Sequence, residues 1–287
     1  MSDVNVILVN SFTKGGSGGN AAGVVLKADS LSDEQKLQVA KEVGFSETAF
    51  VSSDSEYDFE VSFYTTTDEV DFCGHATVAA FSTMFEQGVI GAGNYIQKTK
   101  AGALSVEVEA NGKVVMQQKL PEYLGQFSPD EIATMLGVDP KIISSTKLPV
   151  EVVSTGLPDV IIPVQNGNLD DVKPNDALIS AFCKKHQVVG FHVFELNEKG
   201  ALTTASCRNF APLYGISEES ATGTSNGALA CYLAKHLGLE GELVFEQGRA
   251  MNCISQIDAM IDIRDRKVVE LSVGGYAIPF DIVSIKV

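Results

Sequence analysis

The chain has 287 residues, of which 45% are hydrophobic and 20% charged, a composition typical of globular proteins and a length sufficient for two domains. Its formal net charge of −16 disfavours nucleic acid and anionic membrane surfaces as partners. The same charge repels a small anionic substrate at long range, so such a substrate needs local hydrogen-bond donors. The sequence has no apolar run of about eighteen residues and no signal-peptide pattern, and its five scattered cysteines form no Cys-x-x-Cys pair. We therefore expect a cytoplasmic protein, in a reduced compartment, without a membrane partner.

The first part of the chain is predicted to begin with two strands and a helix. Residues 5–9 and 23–26 have strand patterns and are joined by the glycine-rich loop 14–20. A phosphate-binding loop is disfavoured there, because no Gly-Lys-Ser/Thr sequence follows and the next element is a strand. Ser32 begins a capping box for a helix that Gly44 ends, and the strand at 45–51 carries Glu47 at its start.

A buried helix is predicted directly after the sequence Asp71-Phe72-Cys73-Gly74-His75-Ala76-Thr77. An alternating strand at 59–65 precedes it, residues 78–85 are apolar nearly all round, and Gly88 ends it. The first backbone N–H groups of such a helix have no intrahelical partners and, with the helix dipole, favour a carboxylate. Because a thiol and an imidazole lie at this helix start, we expect the chemistry here.

The second part of the chain repeats this order of elements after a crossing at Pro121. A second capping sequence at residues 128–131 begins a short helix that Gly137 ends. Before the crossing, strands are predicted at 96–99, 104–108 and 114–120. After the short helix, the predicted elements are strands at 150–153 and 160–164, a helix at 177–185, strands at 188–196 and 202–209, a helix at 227–237 that follows the loop 221–226, and strands at 243–247, 257–263, 268–273 and 280–287.

Matching landmarks in the two parts indicate a duplication. The separations are 136 residues from Val24 to Val160, 143 from Phe50 to Val193, and 149 from Gly74 to Gly223. This slow drift is expected of two copies with small insertions, although any two α+β halves look alike at this coarseness. We predict one half at 1–118 with the C-terminal strand 279–287, and another at 119–278. The two loop-to-helix junctions are expected to face each other across a cleft that holds the ligand.

Four motifs, in the same order, resemble the phenazine-biosynthesis PhzF-like family over nearly the whole chain. They are Gly19-Asn20, Ser46-Glu47-Thr48-Ala49-Phe50-Val51, Glu69-Val70-Asp71-Phe72-Cys73-Gly74-His75-Ala76-Thr77, and Arg208-Asn209-Phe210-Ala211-Pro212 with Gly215-Ile216-Ser217-Glu218-Glu219-Ser220-Ala221-Thr222-Gly223. The resemblance implies the diaminopimelate epimerase fold, an α+β fold of two similar halves, each a barrel-like, mostly antiparallel sheet wrapped around one central helix. It also implies a homodimer and cofactor-free proton transfer at carbon on a small carboxylate-bearing substrate. Characterised relatives isomerise a dihydro-hydroxyanthranilate.

The resemblance also assigns roles to individual residues. Glu47 matches the general acid/base of the family, and His75 and Glu219 match its polar partners. The predicted substrate-binding residues, at the two junctions and the glycine-asparagine turn, are Asn20, Cys73, Gly74, Gly223 and Thr224. Four places depart from the family pattern. Its Asp-Pro-Ala-Thr-Gly-Ser is Glu219-Ser220-Ala221-Thr222-Gly223-Thr224 here, its Gly-Asn-Pro is Gly19-Asn20-Ala21, its Gly-Arg-Pro-Ser after the late Gln-Gly is Asn252-Cys253-Ile254-Ser255, and an arginine before the first helix motif is Ser62 or a neighbour.

The residue types by themselves leave other roles open. Glu47 is either a carboxylate that burial between Phe45 and Phe50 makes a useful base, or an exposed residue at a strand edge. His75 is either a neutral hydrogen-bonding group of the site or a capping and core residue. Glu219 is a catalytic group or only a partner of the helix dipole, and Arg208 fixes its loop or binds substrate. The remaining histidines lack ligand spacing with His75, so no metal site is predicted.

These considerations favour an isomerase that moves a proton through Glu47. One alternative is an amino-acid epimerase or racemase that uses Cys73, because a helix N-terminus favours a thiolate. Epimerases of this fold use two cysteines, and Thr222 occupies the second position, which favours Cys73 as a small packing residue. The other alternative is a non-catalytic protein that binds small molecules.

Overall fold

The computed structural model describes residues 3–287, which divide into two compact units. The first unit contains the chain up to Gln117 together with Gly274–Val287, and the second contains Gln118–Val273. Within residues 3–287, the helices are all too short or too polar to span a membrane.

The first unit is a mostly antiparallel sheet with two helices. Its strands are β1 (Asp3–Ser11), β2 (Asn20–Val25), β3 (Thr48–Ser52), β4 (Phe59–Tyr64), β5 (Glu69–Val70), β6 (Gly93–Thr99), β7 (Gly102–Val108), β8 (Val114–Gln117) and β18 (Ala277–Lys286), and its helices are α1 (Asp33–Val43) and α2 (Gly74–Glu86). The strand order is β18-β1-β2-β3-β4-β6-β7-β8, with parallel pairs only at β2–β3 and β4–β6 among the described residues. β1, β2, β3, β7, β8 and β18 all pack against α2. The sheet therefore wraps around one central helix.

The second unit has the same plan. Its strands are β9 (Glu122–Phe127), β10 (Val150–Ser154), β11 (Pro158–Val164), β12 (Gly190–Leu196), β13 (Ala205–Ala211), β14 (Ile216–Glu219), β15 (Gly241–Gln247), β16 (Ser255–Arg264) and β17 (Lys267–Gly275), which crosses the unit boundary, and its helices are α3 (Pro129–Leu136), α4 (Pro140–Ser144), α5 (Asp176–His186) and α6 (Gly223–Leu237). The strand order is β9-β10-β11-β12-β13-β15-β16, with parallel pairs at β11–β12 and β13–β15.

The two units match strand for strand, which confirms the predicted fold of two similar halves. In each unit an antiparallel pair of strands (β1–β2 or β10–β11) is followed by a helix (α1 or α5) and then by a strand that pairs in parallel with the second of them (β3 or β12). A short strand (β5 or β14) precedes the central helix in both units. Val24 and Val160 lie in β2 and β11, and α2 and α6 begin at Gly74 and Gly223.

The two central helices are buried because of their composition. α2 has apolar or small residues nearly all round, and its residues from His75 to Met84 are all buried. α6 likewise buries most of its length, although its first residues are small and polar. A helix without a solvent face is stable only inside a protein, so α2 and the sheet around it depend on each other.

The structure corrects some predicted boundaries. α6 begins at Gly223, four residues before the predicted start, because the small polar residues of its first turn are buried and were interpreted as a loop. The segment after Pro121 is not only a crossing, since β9 forms there by pairing with β10. The short elements α4, β5 and β14 were not predicted.

Candidate active site

Glu47 lies in the turn between α1 and β3, directly before the first residue of the strand. Gly44 ends α1 in the left-handed conformation, and the chain then turns into β3 at Thr48. The carbonyl oxygen of Glu47 accepts a hydrogen bond from the backbone N–H of Gly23, at 3.2 Å. This bond extends the parallel pairing of β2 and β3 by one residue and fixes the backbone that carries the carboxylate.

The start of α2 supplies the thiol and the imidazole. Cys73 is the N-cap residue, in extended backbone geometry, and His75 is the second helical residue; both side chains are buried. The Ser11 hydroxyl donates to the carbonyl oxygen of His75 at 2.7 Å, and the Thr77 hydroxyl donates to that of Cys73 at 2.8 Å. Hydrogen bonds from side chains outside and inside the helix therefore hold the backbone of this junction.

Three functional groups meet at this junction. Nε2 of His75 lies 3.2 Å from Oε2 of Glu47, an ion-pair distance without the alignment of a hydrogen bond. Nδ1 of the same ring lies 3.3 Å from Sγ of Cys73, and the Ser46 hydroxyl lies 3.5 Å from Nε2. The side chain of Glu47 is 16% exposed, yet its Oε2 atom is buried. The carboxylate therefore has one desolvated oxygen and a route to solvent.

Asn20 is the first residue of β2 and is part-buried. It pairs with Ser11, the residue whose hydroxyl holds the carbonyl of His75. The preceding Gly19 has φ +96°, and a Cβ atom there would come within 2.6 Å of the Ser11 carbonyl oxygen. Only glycine fits this close approach, which explains the glycine of the Gly-Asn motif in physical terms.

The second unit has a corresponding junction at the start of α6. Thr222 is the N-cap residue, and its hydroxyl donates to Oε2 of Glu219 at 2.5 Å. Gln247, at the end of β15, donates from Nε2 to the carbonyl of Glu219 at 2.7 Å and accepts the N–H of Thr222 at 3.2 Å. Asn226 Nδ2 donates to the carbonyl of Thr222 and to Oε1 of Gln247. The loop with Glu219 is therefore tied to both β15 and α6.

Two buried titratable groups, Asp159 and His192, lie beside the first residues of α6. Burial raises the pKa of Asp159 to about 7, against the opposing effect of the hydrogen bond from the Ser225 hydroxyl, which lies 2.6 Å from Oδ2. Burial lowers the pKa of His192 to about 4. The hydrogen bond between its Nδ1 atom and Oδ1 of Asn209, at 3.0 Å, opposes this shift. Ser225 is in the first turn of α6 beside Thr224, whose carbonyl oxygen accepts from the Thr155 hydroxyl.

Arg208 has a structural role in its loop. Its guanidinium donates to both carboxylate oxygens of Glu218, at 2.9 and 2.8 Å, and its Nη1 atom donates to the carbonyl oxygens of Leu169 and Val172. The side chain is buried and also lies over the ring of Phe210. This geometry satisfies most of its donors and favours the loop-fixing interpretation.

Sequence reasoning missed several residues that position these groups. Ser46 adjoins His75, and Gln247 and Asn226 organise the α6 junction. Gln247 is followed by Gly248, with φ +84°, where a Cβ atom would collide with the carbonyl oxygens of Cys253 and Ser220. The Gln-Gly pair was therefore a usable signal, because a glycine required at one position marks a close backbone approach.

Comparison with known proteins agrees with this architecture. The model of the phenazine biosynthesis-like protein family, PhzC-PhzF, matches residues 9–281. The chain belongs to this family. It is 31% identical to an uncharacterised isomerase of Clostridium acetobutylicum, over 96% of this chain and 95% of that protein. A PhzF-family crystal structure from Bacillus anthracis superimposes with a TM-score of 0.91 at 28% identity, covering 100% of both chains.

A further relative has a named reaction. The trans-2,3-dihydro-3-hydroxyanthranilate isomerase of Pseudomonas chlororaphis is 28% identical over 96% of both chains. Together with the isomerase named above, this relative shows that the PhzF-like chain is an isomerase, and the prediction of the family is confirmed.

Proposed function

We propose that Glu47 is the general acid/base of this isomerase and moves a proton between two carbons of a small carboxylate-bearing substrate. The observation that carries the proposal is the buried Oε2 atom of Glu47, 3.2 Å from Nε2 of His75 at the start of α2. A carboxylate positioned in this way can accept a proton from a substrate carbon. The part-exposed side chain leaves access for a substrate from solvent.

The proposed reaction needs only this one carboxylate for proton transfer. The C–H bond of the substrate breaks, the proton bonds to a Glu47 oxygen, and the electron pair enters the conjugated system of the substrate. The same carboxyl group then returns the proton to a second carbon, so the step consumes no oxidant and no cofactor. His75 orients the carboxyl group, and the N–H groups at the start of α2 bind the substrate carboxylate.

The second junction has a supporting role in this proposal. Glu219 and Thr224 orient the substrate, with Glu219 held by Thr222 and Gln247. Asn20, Cys73, Gly74 and Gly223 complete the set of proposed substrate-binding residues. That the two junctions act on one substrate in a cleft, that the chain forms a homodimer and that it is cytoplasmic stay predictions.

The named relative supports a proposal for the substrate class. Trans-2,3-dihydro-3-hydroxyanthranilate is a cyclic, conjugated carboxylate, and its isomerase is the Pseudomonas relative. We propose a small unsaturated carboxylate of this kind for the present chain, because proton transfer from carbon is easier when the resulting charge is delocalised.

The alternative of a two-cysteine epimerase is disfavoured by the residue at the second helix start. Cys73 and Thr222 are the N-cap residues of α2 and α6, and the Thr222 hydroxyl is engaged by Glu219. A threonine hydroxyl ionises far less readily than a cysteine thiol, so Thr222 is a poor counterpart to the second cysteine of such an epimerase. Isotope exchange that persists in Cys73→Ala would argue against Cys73 as the base.

The proposal can be tested with a panel of small cyclic and acyclic carboxylates incubated with the enzyme in deuterated water. We expect at least one compound to bind and to incorporate deuterium at carbon, as followed by proton magnetic resonance and mass spectrometry. Binding without any incorporation would support a non-catalytic protein instead. Glu42→Gln, which changes an exposed carboxylate near the same loop, is the matched control and should leave incorporation unchanged.

A further inference from the structure

The junction at α2 brings together three side chains whose combined chemistry is not required for proton transfer. Glu47, Cys73 and His75 each offer one ligand atom, and these three atoms all lie within 4.8 Å of one another. Sequence reasoning considered only the spacing between histidines, whereas this set joins a carboxylate from the turn before β3 to a thiol and an imidazole from α2. Only the folded chain brings the three types of ligand together.

We propose that Glu47, Cys73 and His75 form a binding site for Zn²⁺, and that Zn²⁺ bound there inhibits the isomerase. Sulfur, nitrogen and oxygen donors of this kind are the usual protein ligands of Zn²⁺, and three of them leave a fourth position for water. Mg²⁺ and Ca²⁺ prefer sets composed of oxygen atoms. One thiolate and one carboxylate also balance the charge of a divalent cation.

The distances fit a tetrahedral site. With metal–ligand bonds of about 2.0–2.3 Å, two ligand atoms of a tetrahedral Zn²⁺ site lie roughly 3.3–3.6 Å apart. His75 Nε2 lies 3.2 Å from Glu47 Oε2 and 4.0 Å from Cys73 Sγ. The first distance is about 0.1 Å below the tetrahedral range and the second about 0.4 Å above it, and Glu47 and Cys73 have ligand atoms within 4.8 Å of each other, so side-chain rotations that draw the three atoms together would complete the site.

The site is also held in place and accessible. The Ser11 and Thr77 hydroxyl groups fix the carbonyls of His75 and Cys73, and Gly23 fixes the backbone of Glu47. Oε2 of Glu47 is buried without a hydrogen-bond partner, as expected for a carboxylate oxygen that receives a cation. The part-exposed Glu47 side chain gives an ion a route from solvent.

Binding has a direct chemical consequence. The thiol of Cys73 loses its proton to solvent as the sulfur–metal bond forms, and Glu47 uses the oxygen that would accept the substrate proton. The binding itself does not depend on the proposed function, whereas the inhibition rests on it.

Binding is tested on the full-length protein with Co²⁺ as a spectroscopic probe and with Zn²⁺ in calorimetry. We expect a thiolate-to-cobalt charge-transfer band in the near ultraviolet that Zn²⁺ removes by displacing Co²⁺. In Cys73→Ala the band should disappear and Zn²⁺ affinity should fall by at least about 100-fold, because loss of an outer-shell partner alone costs about 10–100-fold. Circular dichroism of each variant checks that it is folded.

Two further variants complete the experiment. Glu47→Gln keeps the shape of the side chain and should also weaken Zn²⁺ binding, whereas Cys253→Ala, which changes a part-buried cysteine of the second unit, should leave it unchanged. A band that persists in Cys73→Ala, or equal Zn²⁺ affinity in that variant and the wild type, would overturn the site. Binding at this site without inhibition of isotope exchange would overturn the inhibitory role and contradict Glu47 as the base.

Discussion

Replacing Asp159 by asparagine should change how the stability of the protein depends on pH. Asp159 is buried in β11, and burial raises its pKa from 3.8 to about 7. Below about pH 3, the group is protonated in both the folded and the unfolded chain. As the pH rises from about 4 to about 7, the unfolded chain loses the proton first, so Asp159 lowers the free energy of unfolding over this window and has a constant effect above it.

The magnitude follows from the two pKa values. A shift of about three units corresponds to about 4 kcal/mol in full, of which about 2.5 kcal/mol falls between pH 5 and pH 8. His192 acts oppositely, because burial lowers its pKa from 6.5 to about 4. It destabilises the folded chain as the pH falls through this range, by about 2 kcal/mol between pH 8 and pH 5. The contributions of Asp159 and His192 to the pH dependence of the free energy of unfolding therefore nearly cancel in the wild type.

The variant Asp159→Asn separates the contribution of Asp159 from that of His192. Urea unfolding of wild type and Asp159→Asn at pH 5 and pH 8 should show the free energy of unfolding of the variant, relative to wild type, rising by about 2.5 kcal/mol from the lower pH to the higher. His192→Gln should show the opposite trend, and Asp68→Asn, an exposed control in the first unit, should show none. An equal difference between Asp159→Asn and wild type at both pH values would refute the reasoning.

Substitutions at three other positions test parts of the structure, each by urea unfolding with activity measured alongside. Arg208→Ala should destabilise the protein by about 3 kcal/mol, because it removes the guanidinium donors from the Glu218 carboxylate and from the Val172 carbonyl oxygen. Arg208→Lys should not restore the loss, because lysine lacks the planar fork. Gly248→Ala should lower the free energy of unfolding by about 1–3 kcal/mol, because residue 248 has a positive φ and a Cβ atom there would collide with the carbonyl oxygen of Cys253. The same substitution should reduce turnover, because it shifts the loop at the start of α6. Phe81→Ala should cost about 3–5 kcal/mol, because its ring is fully buried in α2. Wild-type stability in any of these variants would contradict the contact described for it.

The fold could be predicted to the extent that local signals agreed with tertiary packing. The capping box at Ser32 forms as predicted, and the landmarks at Gly74 and Gly223 begin equivalent helices. β9 could not be predicted, because most of its residues are exposed and it has no apolar alternation; its pairing with β10 makes it a strand. The first turn of α6 was missed for a related reason, since burial of small polar residues there depends on partners far along the chain.

The candidate site likewise has residues that the sequence indicated and contacts that it did not. The resemblance to PhzF-like proteins was sufficient to select Glu47 and His75, which lie in contact. It gave no indication that Gln247 would fix both Glu219 and Thr222, because side-chain hydrogen bonds between distant segments leave no periodic pattern in the sequence. Nor did it indicate that Cys73 and Glu47 would share a neighbour in His75.

The role of Glu47 is tested most directly by hydrogen exchange at the substrate carbon in deuterated water, compared between wild type and Glu47→Gln with the same bound carboxylate. Because general acid/base catalysis contributes about 10²–10⁴-fold, the variant should bind the compound yet lose at least about 100-fold in the exchange rate. An exchange rate in Glu47→Gln equal to that of the wild type would contradict the account.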